Sequence, residues 1–369
     1  MKKTPIFATH KKYNAKMVNY NGWELPIYYS SIIKEHIAVR TSTGVFDVSH
    51  MGEIRLKGEK AILFANHILT NDFNNIKNNI AAYGMLLNEN GNIIDDVMSY
   101  KISNTNILIC VNASNIEKDF YWIRNQLNKY NFSNELKIYN ESLEWGQIAI
   151  QGPMATEVIN KLYNINMNIA KFHFKEINLL GNIKTLIART GYTGEDGYEI
   201  FIPSNNTNEI YNKILDLKNI IPIFPCGIGS RDSLRIEAGL CLHGNEIHEN
   251  INPIEAGLNW VIKYNKKENF IGKNSLIEYK NKFKLKKKIF AIKILDNKIA
   301  RTGNNIYLLD SKIGKVTSGT YSPYLQYPIA LIYIYKDIND IKMQKLTVEI
   351  RGNKIPVCIH KLPFHKNIQ

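Results

Sequence analysis

The stretch RTGYTGEDGYEI, Arg189 to Ile200, constrains this chain more than any other. Gly191, Gly194 and Gly197 recur every third residue, a spacing that lets backbone take positive φ or lie against another group. Tyr192 and Tyr198 add flat apolar rings with polar tips. Glu195, Asp196 and Glu199 place three carboxylates within five residues. Glu199 also opens the run Glu199-Ile200-Phe201-Ile202-Pro203, which reads as a strand and would hold that carboxylate on a rigid element beside a glycine-rich loop. An acidic turn before an ordinary strand has the same composition, so the rest of the chain has to decide.

A second acid constellation lies upstream. Met85-Leu86-Leu87, the turn pair Asn90-Gly91 and the return run Ile93 to Met98 read as a β-hairpin within Tyr83–Tyr100. Asp95 and Asp96 stand next to each other in that apolar return strand and must point to opposite faces. At least one is predicted to face the interior, where a carboxylate needs hydrogen bonds or a charge partner. A strand with one open face, both acids partly wet, is the alternative. A strand over Ile107–Val111 follows and ends at Asn112, with Ser114 placed to cap a helix from Ile116 to about Lys129.

Elsewhere Ser31 can cap a helix running to Arg40, and Lys60–Leu69, Ala155–Leu162 and Asn208–Leu217 have helical spacing. Gln147–Gln151 and two runs around Gly181-Asn182 read as strands. A helix over roughly Arg231–Glu237 stops at Gly239. Arg231 falls in its first turn, where a cation opposes the helix dipole, which suggests another use for it, such as an anionic or carbonyl-bearing ligand. The irregular order of strands and helices predicts an α+β fold. The basic run Lys280–Lys288 reads as a linker, and the alternating strands beyond it, separated by Gly303-Asn304, Gly314 and Gly352-Asn353, predict a small all-β domain. The division expected is 1–275 and 286–369, with 369 residues enough for several cores.

Other chemistries lack their signatures. There is no phosphate-binding loop, since Gly272-Lys273 has neither the upstream glycine nor the following hydroxyl residue. Gly227-x-Gly229 lacks a third glycine and follows no convincing strand. His248-Glu249 meets Asn252 where a zinc motif needs a second His. The nine histidines do not cluster, and His50 reads as a packed core residue. Four separated cysteines in apolar contexts predict neither zinc nor a disulfide framework and fit a reduced, cytoplasmic setting. No apolar run has the length of a membrane span, and the opening residues have no signal-peptide core. The net charge of +14 admits nucleic acid, an anionic small molecule or an acidic protein. The lysines are dispersed without an aromatic-studded basic strand, which disfavours nucleic acid.

The motifs together resemble the aminomethyltransferases, or T-proteins, of the glycine cleavage system. They include Thr4-Pro5, Gly22-Trp23, Glu35-His36, Val39-Arg40, FDVSHMG (Phe46–Gly52), the Asp95-Asp96 strand and Gln151-Gly152-Pro153. GYTGEDGYEI, GSRDSLRIEAGL, Pro253 with Trp260, and Thr317-Ser318-Gly319 with Ser322-Pro323 continue the likeness over nearly the whole length. The resemblance implies a three-domain cloverleaf around a central folate channel, its last domain a β-barrel. It also implies tetrahydrofolate as co-substrate without a metal, and the lipoyl carrier H-protein as partner, with no nucleic acid and no membrane. The family's catalytic aspartate falls on Asp96, its pterin-binding glutamate on Glu199 and its folate-contacting arginine on Arg231. Met51, Tyr83, Asn112, Tyr192 and Trp260 fall on channel-lining positions. The family usually has Tyr where this chain has His243, which keeps an aromatic face and a hydrogen-bonding nitrogen. The same fold serves a non-enzymatic folate-binding protein of iron–sulfur cluster maintenance. That family carries a Lys-Gly-Cys-Tyr-type loop where this chain has Thr190-Gly191-Tyr192. A folate domain of a flavin-linked demethylase would need an oxidase half for which this chain has no room.

Overall fold

A computed structural model describes residues 1–130, 134–282, 287–335 and 346–367. Residues 283–286 of the basic run read as a linker lie outside the described residues. The chain forms two compact units. One comprises Met1–Met85, Asp95–Arg231 and Asn265–Phe270, the other Leu86–Ile94, Asp232–Tyr264 and Ile271–Gln369.

The first unit is built on two main sheets. One has six strands in the order Phe174–Leu179, Ile183–Ala188, Gly197–Pro203, Trp145–Gln151, Thr43–Asp47 and Ile223–Cys226. All its neighbours run antiparallel except the last pair, which is parallel. The other has five strands in the order Ile80–Leu87, Ile93–Ser103, Asn106–Val111, Gly52–Lys57 and Lys137–Asn140. Period-two alternation sets what each face does. Tyr198, Ile200 and Ile202 turn to one side, into a core with Val158, Ile159, Ile210 and Ile214 of the helices Ala155–Tyr163 and Ser204–Asp216. Glu199 and Phe201 therefore turn to the other side. There Phe201, Phe174, Leu186 and Ala188 pack against Tyr100, Leu108 and Cys110 of the five-stranded sheet. Tyr100 meets Phe174 and Phe201 edge-on, with ring centroids at 5.6 and 5.1 Å. The two sheets thus enclose an apolar interior with polar residues along it.

The second unit holds a closed antiparallel barrel in the order Lys288–Ile294, Tyr327–Ile334, Ser311–Ser322, Asn305–Leu308, Leu346–Ile350 and Asn353–His360. Its interior is aliphatic, led by Ile292, Ile306, Ile332, Val348 and Val357. Closure removes the exposed edges that six short strands would otherwise present. The α+β class and the C-terminal barrel are as the sequence predicts.

Two local readings need correction. The helix Ile116–Lys129 starts after Asn115, not from a Ser114 cap, and Asn115 makes no side-chain cap bond. Gly227 does follow a strand, the four-residue Ile223–Cys226 paired in parallel with Thr43–Asp47. The backbone N–H of Gly227 is already taken by Glu35 Oε2 at 2.9 Å, and Ser230 Oγ donates to the same oxygen. A side chain of the protein therefore fills the place a bound phosphate would need.

Candidate functional site

The strand Ile93–Ser103 pairs with Asn106–Val111 so that Met98 lies opposite Cys110. Two residues further along each strand, Asp96 comes beside Asn112. Asn112 Nδ2 donates to Asp96 Oδ1 at 2.8 Å and to Asp95 Oδ1 at 2.9 Å, holding both acids of the pair. The Tyr83 hydroxyl donates to Asp96 Oδ2 at 2.9 Å. Tyr83 is itself fixed by Asn71, whose Nδ2 donates to its carbonyl at 2.9 Å.

Asp95 is fully buried while Asp96 is half-buried, so the reading in which both are wet fails for Asp95. Burial, and next the Asp95 charge, push the Asp96 carboxyl up from 3.8 to about 7, against the pull of Tyr83 and Asn112. Asp96 can therefore exchange a proton at neutral pH, which an ordinary aspartate cannot.

The glycine-rich stretch separates its three carboxylates. Glu195 is held by Arg40 Nη1 at 2.9 Å, and that guanidinium also donates to the Thr193 carbonyl. Asp196 forms a two-pronged pair with Arg189. Gln151 threads the loop, accepting from Thr193 Oγ1 and donating to the Thr190 carbonyl. A Cβ on Gly191 would sit 1.9 Å from Gln151 Oε1, which leaves no room there for a side chain, and Gly194 has φ +82°.

Glu199 is left with capacity on its strand. Thr190 Oγ1 donates to its Oε2 at 2.6 Å, and its other oxygen has no protein donor among the described residues. Arg231 stacks its guanidinium over Tyr192, 4.7 Å from the ring centre, and its buried Nη1 finds no hydrogen-bond acceptor among the described residues. Its helix, Ile228–Ala238, begins three residues before the predicted start and still keeps Arg231 near its N-terminus.

Cys110 is buried, and burial, with Glu53 and Glu199 next, pushes its thiol up. His50 is also buried, and burial and then the Arg231 charge lower its imidazole to about 4. It is a packed neutral histidine, edge-on to Tyr20, as the sequence reading has it. Half-buried Met51 packs at the rim of the core between the sheets.

Asp96, Tyr83, Asn112, Glu199, Arg231, Tyr192 and Met51 are thus all carried by the first unit. Trp260 and His243 belong to the second, where Trp260 is 64% exposed on a short 3-10 turn and His243 bridges to Ile247. Asn71, Thr190 and Asn115 also hold the acids or their partners. Nothing short of the folded contacts singles them out.

An acid pair in one sheet, a strand-borne glutamate with an open oxygen and an arginine with an open donor make a polar-ligand site in an α+β protein that also carries a β-barrel. Comparison with known proteins gives its family. Residues 6–266 match the GCVT N-terminal domain, and residues 287–366 match the glycine cleavage T-protein C-terminal barrel domain. An aminomethyltransferase of Thermoanaerobacter pseudethanolicus is 42% identical over 365 residues, covering 99% of this chain and 95% of the relative. One from Thermotoga maritima is 40% identical over 367 residues, covering 99% and 98%. The crystal structure of glycine cleavage system aminomethyltransferase T from Bartonella henselae matches with a TM-score of 0.89 at 31% identity, covering 99% of this chain and 98% of that one. The chain belongs to the glycine cleavage T-protein family, and its class of activity is aminomethyl transfer.

Proposed function

We propose that this enzyme takes an aminomethyl group from the sulfur of a dihydrolipoyl carrier protein and passes its carbon to tetrahydrofolate, yielding methylene-tetrahydrofolate and ammonia. The observation that carries the reading is the open acceptor on Glu199 with the open donor on Arg231, in one unit with Asp96. A pterin edge presents two adjacent N–H donors and a neighbouring carbonyl. Glu199 suits the donors, and Arg231 suits the carbonyl. Tyr192, stacked on Arg231, and Met51 supply apolar surface for a flat ring.

The reaction breaks the C–S and C–N bonds of the aminomethyl group and forms two C–N bonds to folate nitrogens. Two protons leave those nitrogens, one ending on the carrier sulfur and one on ammonia. Asp96, exchanging a proton near pH 7, serves this traffic. As an anion it also stabilises the cationic carbon that develops as ammonia leaves. Tyr83 and Asn112 hold it in place. The partner is the lipoyl H-protein, and the net charge of +14 favours encounter with an acidic carrier.

The test is to incubate the protein with aminomethylated carrier and tetrahydrofolate and measure methylene-tetrahydrofolate. Formation well above the protein-free rate supports the reading, and formation at the protein-free rate overturns it.

A further inference from the structure

Behind Asp96 lie two carboxyls that the proposed reaction does not use. Asp95, on the other face of the strand, collects three N–H donors. They are Asn112 Nδ2 at 2.9 Å, the Asn112 backbone at 3.0 Å and Asn115 Nδ2 at 2.6 Å. Asp119 stands one turn along the helix Ile116–Lys129, its backbone N–H bonded to the Asn115 carbonyl. It falls in the apolar stripe between Ile116 and Ile123 and is fully buried. Neither of its oxygens has a hydrogen-bond donor among the described residues.

A carboxylate anion in such a place is costly, and a neutral acid is far less so. Burial, and then the Asp95 charge, hold the Asp119 carboxyl well above the ordinary range. The charged groups acting on it are Asp95 and Asp96 from the strand and Lys118 from its own helix. The helix Ala61–Ile68, packed alongside, brings His67, which is engaged with Tyr130. The strand Gly52–Lys57 turns Gly52 toward Ile116, which puts Glu53, Arg55 and Lys57 on its other face.

We propose that Asp119 is a positioning residue for the transfer reaction, a permanently protonated acid that donates to Asp95 and keeps the negative charge of Asp95 fixed beside Asp96. The inference rests on the reading of Asp96 as the transfer carboxyl. With Asp119, four donors converge on Asp95, against the two on Asp96 from Tyr83 and Asn112. In a coupled pair the exchangeable proton goes to the member with fewer donors. Asp119 therefore acts through Asp95 to make Asp96 the group that titrates near neutrality.

The test uses the full chain labelled with 13C at aspartate carboxyls and followed by NMR from pH 5 to 9, with Asp96→Asn and Asp119→Asn used for assignment. In the unmodified protein the Asp119 signal should stay that of a neutral acid through pH 8. An ionised signal at pH 7 overturns the proposal without any variant having to fold. Asp119→Leu removes the donor, so Asp95 competes for the proton and the Asp96 midpoint should fall by about one pH unit or more. The neutral-pH inflection in the transfer rate should move with it. Asp119→Asn keeps an N–H donor and should leave both within a few tenths of a unit. An unmoved midpoint in a folded Leu variant, or equal shifts in Leu and Asn variants, overturns the proposal. Transfer at the parent rate by Asp96→Asn would instead sink the role given to Asp96, while the NMR midpoints would still decide that of Asp119.

Discussion

Replacing Asp96 with Asn should make the protein more stable at pH 8 and leave it close to the parent, slightly less stable, at pH 5. The folded chain holds the proton of Asp96 more tightly than the unfolded chain does, since the midpoint rises from 3.8 to about 7 on folding. Such a group contributes fully to stability below the ordinary carboxylate range, and the contribution is lost as pH rises through about 7. At about 1.4 kcal/mol per unit, the upper bound on that loss is roughly 4 kcal/mol. Asp96 is half-buried and coupled to Asp95, which reduces a realistic figure to about 2 kcal/mol. Asn escapes this loss but carries a cost of its own. Its single carbonyl oxygen replaces two that accept from Tyr83 and Asn112, at about 1 kcal/mol. The net is a gain of about 1 kcal/mol at pH 8, shrinking to a loss of only a few tenths of a kcal/mol at pH 5, where roughly two-fifths of the contribution has already gone. Urea denaturation of both proteins at the two pH values measures the difference directly. A stability difference that does not change between pH 5 and pH 8 would refute the reasoning, because it would mean that Asp96 titrates alike folded and unfolded.

Three further outcomes follow from the site. Glu199→Gln leaves one acceptor oxygen and turns a donor toward a donor, so tetrahydrofolate binding by calorimetry should weaken by about two to four decades with the melting temperature unchanged. Unaltered affinity would remove Glu199 from the site. Arg231→Met keeps the contact with Tyr192 but removes the open donor, and should cost tetrahydrofolate affinity roughly tenfold or more. A variant binding as tightly as the parent would show that Nη1 meets no ligand. Association with the lipoyl carrier should weaken as salt rises to about physiological strength, where screening acts over roughly 8 Å. A salt-independent affinity would leave the charge of +14 without this role.

The hairpin acids were legible because two neighbours in a strand cannot share a face, and one duly went inward. The glycine spacing of Arg189–Ile200 was legible as a loop of close approach, though not that Gln151 is what approaches it. What the chain hides is long-range. Glu35 meets Gly227 across 192 positions, and the parallel strand Ile223–Cys226 exists only because Thr43–Asp47 offers it an edge. Four residues carry too weak a local pattern to declare themselves. Local pattern favours a Ser114 cap over Asn115, because capping propensity is local whereas the pull of Asp95 on the Asn115 amide comes from another element. Asp119 did leave a trace, an acid in the apolar stripe set by Ile116 and Ile123.

The account turns on Asp96, and a single-turnover comparison of the parent protein with Asp96→Asn tests it most directly. Both are saturated with tetrahydrofolate and mixed with aminomethylated carrier, and methylene-tetrahydrofolate is followed alongside folate affinity. The account predicts a rate lower by about two decades or more, with affinity kept within a few-fold, since the lost carboxyl serves proton exchange and charge stabilisation. Equal rates in the two proteins at equal affinity would contradict it.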